Sequence, residues 1–169
     1  MTAEPSQPLV EVTAERIDDA AGTLLIEQVQ QEYERRYGGR DTSPVHPDEF
    51  DAPQGHFLVV RLDGLAVACG GVRLVEPALG ELKRMYVAPA ARGLGLARRL
   101  LAALEQAAGE LGAKRVRLET GTKQPEALAL YVSAGYTPID TFGVHKDEPE
   151  SRCFGKDLGP AAGENGVRL

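Results

Sequence analysis

Arg92-Gly93-Leu94-Gly95-Leu96-Ala97 stands between a β-type run, Leu82 to Val87, and an amphipathic helical stretch that starts at once. A strand, a glycine-bearing turn and an exposed helix N-terminus make an anion site. The first helical amides lack partners, and the helix dipole puts partial positive charge there. Gly93 and Gly95 carry no Cβ, so a ligand can approach the backbone closely. Arg92 adds a permanently charged fork of donors suited to phosphate. The whole suits a pyrophosphate.

The elements that must position this turn are legible around it. Leu9 to Val12 is a short strand candidate, and Ile17 to Tyr37 carries a helical pattern that stops at Gly38-Gly39. Residues 38–55 hold Pro44, Pro47 and Pro53 and read as loop, with room for one helical turn. His56 to Leu62 and Leu65 to Val75 are strands joined by the hairpin signal Asp63-Gly64, and Gly70-Gly71 suggests a bulge. With Leu82 to Val87 these runs form an antiparallel meander. The helix after the glycine turn spans about Leu94 to Leu111, with Ala97, Leu100, Leu101, Leu104, Ala108 and Leu111 along one face. Arg115 to Thr120 is a strand. Pro125 to Ala134 is a short helix with proline at its first position and Gly135 after it. Tyr136 to Asp140 and Arg152 to Leu158 complete the strand candidates, and residues 159–169 read as a tail.

Composition bounds the function. The 169 residues suit one domain, with 43% hydrophobic and 26% charged residues, as in a soluble globular core. A net charge of −6 argues against general nucleic-acid binding, which needs a basic face, but not against a cationic amine as substrate. No apolar run reaches the roughly 20 residues that span a bilayer. The first residues lack the basic and apolar regions of a signal peptide, so a cytoplasmic protein is expected. Cys69 and Cys153 read as reduced thiols. Neither they nor His46, His56 and His145 have metal-ligand spacing, so no metal is expected. A dinucleotide-binding turn is excluded because Arg98 fills the third glycine place, and residues 88–92 separate strand from glycines. A P-loop is excluded for want of Gly-Lys-Ser or Gly-Lys-Thr.

The glycine turn resembles the acyl-coenzyme A binding motif of GNAT-type N-acetyltransferases, (Arg or Gln)-x-x-Gly-x-(Gly or Ala), with Arg92, Gly95 and Ala97 at its defined places. Residues 124–136, Gln-Pro-Glu-Ala-Leu-Ala-Leu-Tyr-Val-Ser-Ala-Gly-Tyr, resemble the family's Asn-x-x-Ala-x-x-Leu-Tyr-x-x-x-Gly-Phe segment, with Gln124 for Asn and Tyr136 for Phe. The likeness covers roughly residues 10–158. It implies an α/β GNAT fold: one domain over residues 1–158, a mixed, mostly antiparallel sheet of about six or seven strands and about four helices. It implies acetyl-CoA as co-substrate and a small-molecule amine as acceptor; the charge balance and the short apolar runs lead us to expect no nucleic-acid or membrane partner. A homodimer is compatible with it.

The resemblance also assigns residues. Backbone groups of Met85, Tyr86 and Val87 would meet the pantetheine arm where two parallel strands splay, and Arg92, Gly93, Leu94, Gly95, Leu96 and Ala97 would cradle the pyrophosphate. Gln124 keeps an amide for the pantetheine. Tyr131 falls on the family's general acid; a phenol with an ordinary pKa of about 10 is protonated at neutral pH and can protonate a leaving thiolate. Glu81 is a general-base candidate, Glu119 competes with it, and His56 is a weaker third. Lys83 and Arg84 are cations in a buried-type strand and need a partner. That partner is either Glu81 or Glu119, or the carboxylate of an amino-acid-like acceptor. Arg35, Arg36 and Tyr37 could line the same pocket. The other readings are an acyl-CoA sensor without turnover and a protein-acetylating enzyme.

Overall fold

The computed structural model describes residues 5–159. Its elements are β1 (Val10–Ala14), α1 (Ala20–Tyr37), β2 (Gly55–Leu62), β3 (Leu65–Glu76), β4 (Leu79–Val87), α2 (Leu96–Glu110), β5 (Arg115–Gly121), α3 (Pro125–Ser133), β6 (Thr137–Pro138) and β7 (Ser151–Asp157). Short 3-10 turns lie at Pro47–Phe50 and Pro89–Ala91. Among the described residues the helices number three rather than about four, and there are two short 3-10 turns besides. Residue 159 is the only part of the expected tail within the described range.

One seven-stranded sheet has the order β1-β2-β3-β4-β5-β7-β6. All its pairs are antiparallel except β4 with β5. That parallel ladder is short: it runs from Leu79–Arg115 to Leu82–Leu118 and stops. Beyond it the two strands part, leaving the β5-facing edge of β4 without a strand partner. β4 starts three residues earlier than the apolar run suggests, because Gly80 pairs with Leu74 and Val116 inside the sheet.

Each face of the sheet has its own core. On one, α2 buries Leu96, Leu100, Leu101, Leu104, Ala107 and Ala108 against Val60, Val72, Leu82, Val116 and Leu118, and α3 adds Tyr131. Each buried leucine contributes about 1.5–3 kcal/mol. On the other, Leu25 and Val29 of α1 and Phe50 of the first 3-10 turn cover Phe57, Val59, Cys69 and Tyr86.

A bulge in β4 decides which of its side chains face which core. Cys69 pairs with Tyr86 and Gly71 with Lys83, so Gly70 is opposed by both Arg84 and Met85. Arg84 takes φ 57°, left-handed space that a residue with a Cβ seldom occupies. The extra residue reverses the alternation of the strand. Leu82, Met85 and Val87 face α2, whereas Lys83, Arg84 and Tyr86 face the side of α1.

Candidate active site

The glycine turn is built as an anion cradle. Gly93 and Gly95 have φ of 81° and 75°, and open space lies where a Cβ would stand. Gly95 is the N-cap of α2 with no side-chain cap. Among the described residues the first helical bond is from Arg99 N–H to Gly95, so the amides of residues 93–98 meet no backbone acceptor. Arg92 Nε donates to the Val87 carbonyl at 2.9 Å, and its Nη2 reaches Glu32 of α1 at 2.7 Å. The residues present fit a pyrophosphate-bearing co-substrate: free amides, open space at both glycines, and beside them the Arg92 guanidinium, part of which is held by Glu32.

From this cradle a cleft of about 240 Å³ runs along β4 to α3, lined by Met85, Tyr86, Val87, Arg92, Gly93, Gly95, Leu96, Ala97, Gln124 and Tyr131. Leu94 belongs to the turn, but its side chain is 56% exposed and outside the lining. Gln124 Nε2 donates to Tyr37 Oη at 3.2 Å. Gly121 permits that contact, since a Cβ there would stand 2.0 Å from Tyr37 Oη. Arg36 instead reaches across to Glu126 of α3 and the Lys123 carbonyl.

Met85, Gln124 and Tyr131 also line a small inner cavity of about 50 Å³ between the parted strands, together with Asp41, Lys83, Arg84 and Glu119. Tyr131 Oη contacts Met85 Sδ at 3.7 Å, a weak acceptor. Burial pushes the Tyr131 phenol up to about 12, so it keeps its proton at neutral pH.

Two wider cavities open from this point and Glu119 lines both. One, of about 200 Å³, is bounded by Tyr33, Tyr37, Asp41, His145 and Glu148. The other, of about 380 Å³, is bounded by Arg73, Glu81, Lys83, Arg117 and Phe142. The two candidate bases sit very differently. Glu81 is 5% exposed and held by Arg73 Nη2 at 3.3 Å, Arg117 Nε and Nη2 at 3.2 and 2.9 Å, and Lys83 Nζ at 3.8 Å. Among the described residues no hydrogen bond reaches the Glu119 carboxylate. Burial raises its pKa against the opposing pull of Lys83 and His145, with Asp41 and Glu81 adding to the rise. His56 pairs with Val72 inside the sheet and lines none of these cavities.

Lys83 and Arg84 divide. Lys83 Nζ donates to Ser43 Oγ at 2.8 Å. Arg84 pairs with Asp41, which is neither of the two carboxylates expected from sequence. Burial would raise Asp41, but Arg84, Ser43 and Lys83 outweigh it and hold the carboxyl well below the usual range. Gln30, buried in α1, clasps the Asp41 backbone, accepting from its N–H at 2.9 Å and donating to its carbonyl at 3.1 Å. Asp41, Ser43, Arg117 and His145 line these cavities, and the motifs did not mark them. A loop of scattered prolines gives no periodic signal, and Arg117 looks like any outward residue of an alternating strand.

The profile of the acetyltransferase (GNAT) family matches residues 26–136, which span both strands of the parallel pair, the cradle and Tyr131. The chain belongs to the GNAT acetyltransferase family. It is an acetyl-CoA-dependent acyltransferase. The chain is 33% identical over 152 residues to an IAA acetyltransferase of Azospirillum brasilense, covering 89% of this chain and 99% of that one. It is 38% identical over 132 residues to an uncharacterised N-acetyltransferase of Escherichia coli K12, YjgM, covering 73% and 78%. A crystal structure from Klebsiella pneumoniae, provisionally named an acyl-CoA N-acyltransferase, superposes with a TM-score of 0.76 at 33% identity, over 89% of this chain and 99% of that one.

Proposed function

We propose that this acetyltransferase moves an acetyl group from acetyl-CoA to the primary amine of a small carboxylate-bearing acceptor, such as an amino acid, by direct attack. One observation carries the reading: an unpaired carboxylate, Glu119, faces a cation, Lys83, where the β4–β5 ladder ends. Acetyl-CoA supplies an activated thioester. An alkylamine with a pKa of about 10 arrives protonated and must lose a proton before it attacks. Glu119 is the base that accepts it, directly or through water, because Glu81 is surrounded by cations and is needed to neutralise them. Tyr131 holds a proton at its Oη on the wall shared by cleft and inner cavity, where a leaving thiolate needs one.

The acceptor's carboxylate is assigned to Lys83 and Arg117. Arg117 uses Nε and Nη2 on Glu81 and stacks its guanidinium 3.9 Å from the Phe142 ring centre; it lines the larger cavity, and its Nη1 makes no hydrogen bond among the described residues. Arg84 is 5% exposed at its side chain and committed to Asp41, so its part is to hold the loop. Thiol release with acetyl-CoA, comparing each amino acid with its decarboxylated amine, tests the reading. The amino acid is expected to be the faster substrate, and Lys83→Met to remove most of that preference. A faster decarboxylated amine in the parent enzyme overturns the carboxylate assignment.

A further inference from the structure

The two loops that border the acceptor cavities, residues 38–54 and 141–150, meet at one histidine. His145 Nε2 stands 3.0 Å from Asp41 Oδ1, and its Nδ1 stands 2.8 Å from Glu148 Oε1. Both neighbours are carboxylates, which accept only, and a neutral imidazole has a single N–H to offer. Only the imidazolium can donate to both. Asp41 Oδ1 also accepts from Ser43 N–H at 2.8 Å and Ser43 Oγ at 2.6 Å, and Ser43 Oγ in turn accepts from Lys83 Nζ. A continuous line of bonds thus runs from the 141–150 loop to the cation at the mouth of the parted strands.

We infer that His145 is a positioning residue for the acceptor site: as an imidazolium it clamps the 141–150 loop onto Asp41, and through Ser43 it fixes where Lys83 points. The inference rests on the acceptor-site reading above. With both ring nitrogens protonated and donating to carboxylates, His145 has no lone pair with which to take a proton in the reaction. The groups around it are Asp41 and Arg40 from the first loop, Tyr33 and Tyr37 from α1, Glu119 from β5, and Glu148 and Glu150 from its own loop. Burial works against the charged ring, but Glu148 and Asp41 outweigh it, and the pKa of His145 is raised. A raised value has a definite sign. The clamp is complete below the unfolded-state value and is lost as pH rises through the folded one.

Two measurements test this on the full-length chain. In the first, the amino acid turned over fastest in a screen of the common amino acids is the acceptor. His145→Ala is expected to raise its KM about tenfold, the effect of losing a charged hydrogen bond, with kcat and the KM for acetyl-CoA nearly unchanged. His145→Gln, which keeps a donor near the Nε2 position but does not titrate, is expected to recover most of the loss and to flatten the rise of KM with pH. An unchanged acceptor KM in His145→Ala, or the parent's pH dependence surviving in His145→Gln, overturns the inference. In the second, the imidazole proton resonances are titrated without any substrate, the His145 signal being the one missing in His145→Gln. Its pKa is expected above that of an exposed histidine and lower in Glu148→Gln; an ordinary value in the parent overturns the clamp. Failure of every amino acid to react defeats the proposed function while leaving this titration to decide the clamp.

Discussion

Lys83 and Glu119 are the first residues past the end of the β4–β5 ladder, whose last pair is Leu82 with Leu118. Just inside it Glu81 and Arg117 are partners, so along each strand the next position on the same face is the one that opens. A closed ion-pair row therefore ends in an open one. The same face thus carries one neutralised carboxylate, Glu81, and one carboxylate, Glu119, that no hydrogen bond reaches among the described residues.

Glu81→Gln tests the structural half of that division. Three cations surround this buried carboxylate. Removing its charge leaves Arg117 without its ion-pair partner and Arg73 with Glu49 alone, at a cost of about 3–5 kcal/mol. The expected outcome in denaturant unfolding is a lower midpoint at unchanged m-value. Activity should follow the folded fraction rather than fall with a new pH profile.

Tyr131→Phe separates chemistry from packing. Among the described residues the phenol bonds only to a thioether, so phenylalanine strands no strong polar partner. Stability is expected to stay within about 1 kcal/mol of the parent. The kcat should fall about 10²-fold or more, with the affinity for acetyl-CoA nearly kept. Steady-state kinetics beside a thermal-shift titration read both.

Gly95→Ala tests the cradle. A Cβ meets nothing there, so any loss comes from the left-handed backbone, about 1–2 kcal/mol for a residue with a side chain. The variant is expected to stay folded and to bind acetyl-CoA more weakly by thermal shift. Equal binding in parent and variant removes the turn from the co-substrate site.

The glycine turn, the order of the main strands and the faces of α2 were legible because each has a local signal: positive-φ glycines, alternation, or helical spacing. The Arg84 bulge was not. Strand alternation puts Lys83 and Arg84 on opposite faces, and only pairing with β3, which supplies Gly70 against two residues, turns both toward Ser43 and Asp41. The different settings of Glu81 and Glu119 were hidden for the same reason. Both are strand glutamates in sequence, and the difference is where the ladder between two distant strands stops. β6 shrank to Thr137–Pro138 because its partner β7 pairs with it only at Phe154 and Gly155.

The pH–rate profile of kcat/KM in the parent enzyme and in Glu119→Gln bears most directly on Glu119 as the proton acceptor. Burial raises the Glu119 carboxyl above its ordinary value, and a carboxylate accepts a proton only in its ionised form. Parent activity is thus expected to fall as pH drops through that raised value, and Glu119→Gln to lose about 10²–10⁴-fold at neutral pH and with it that acid limb. A Glu119→Gln enzyme that keeps near-parent kcat/KM and the same acid limb would contradict the assignment and return the base to another group.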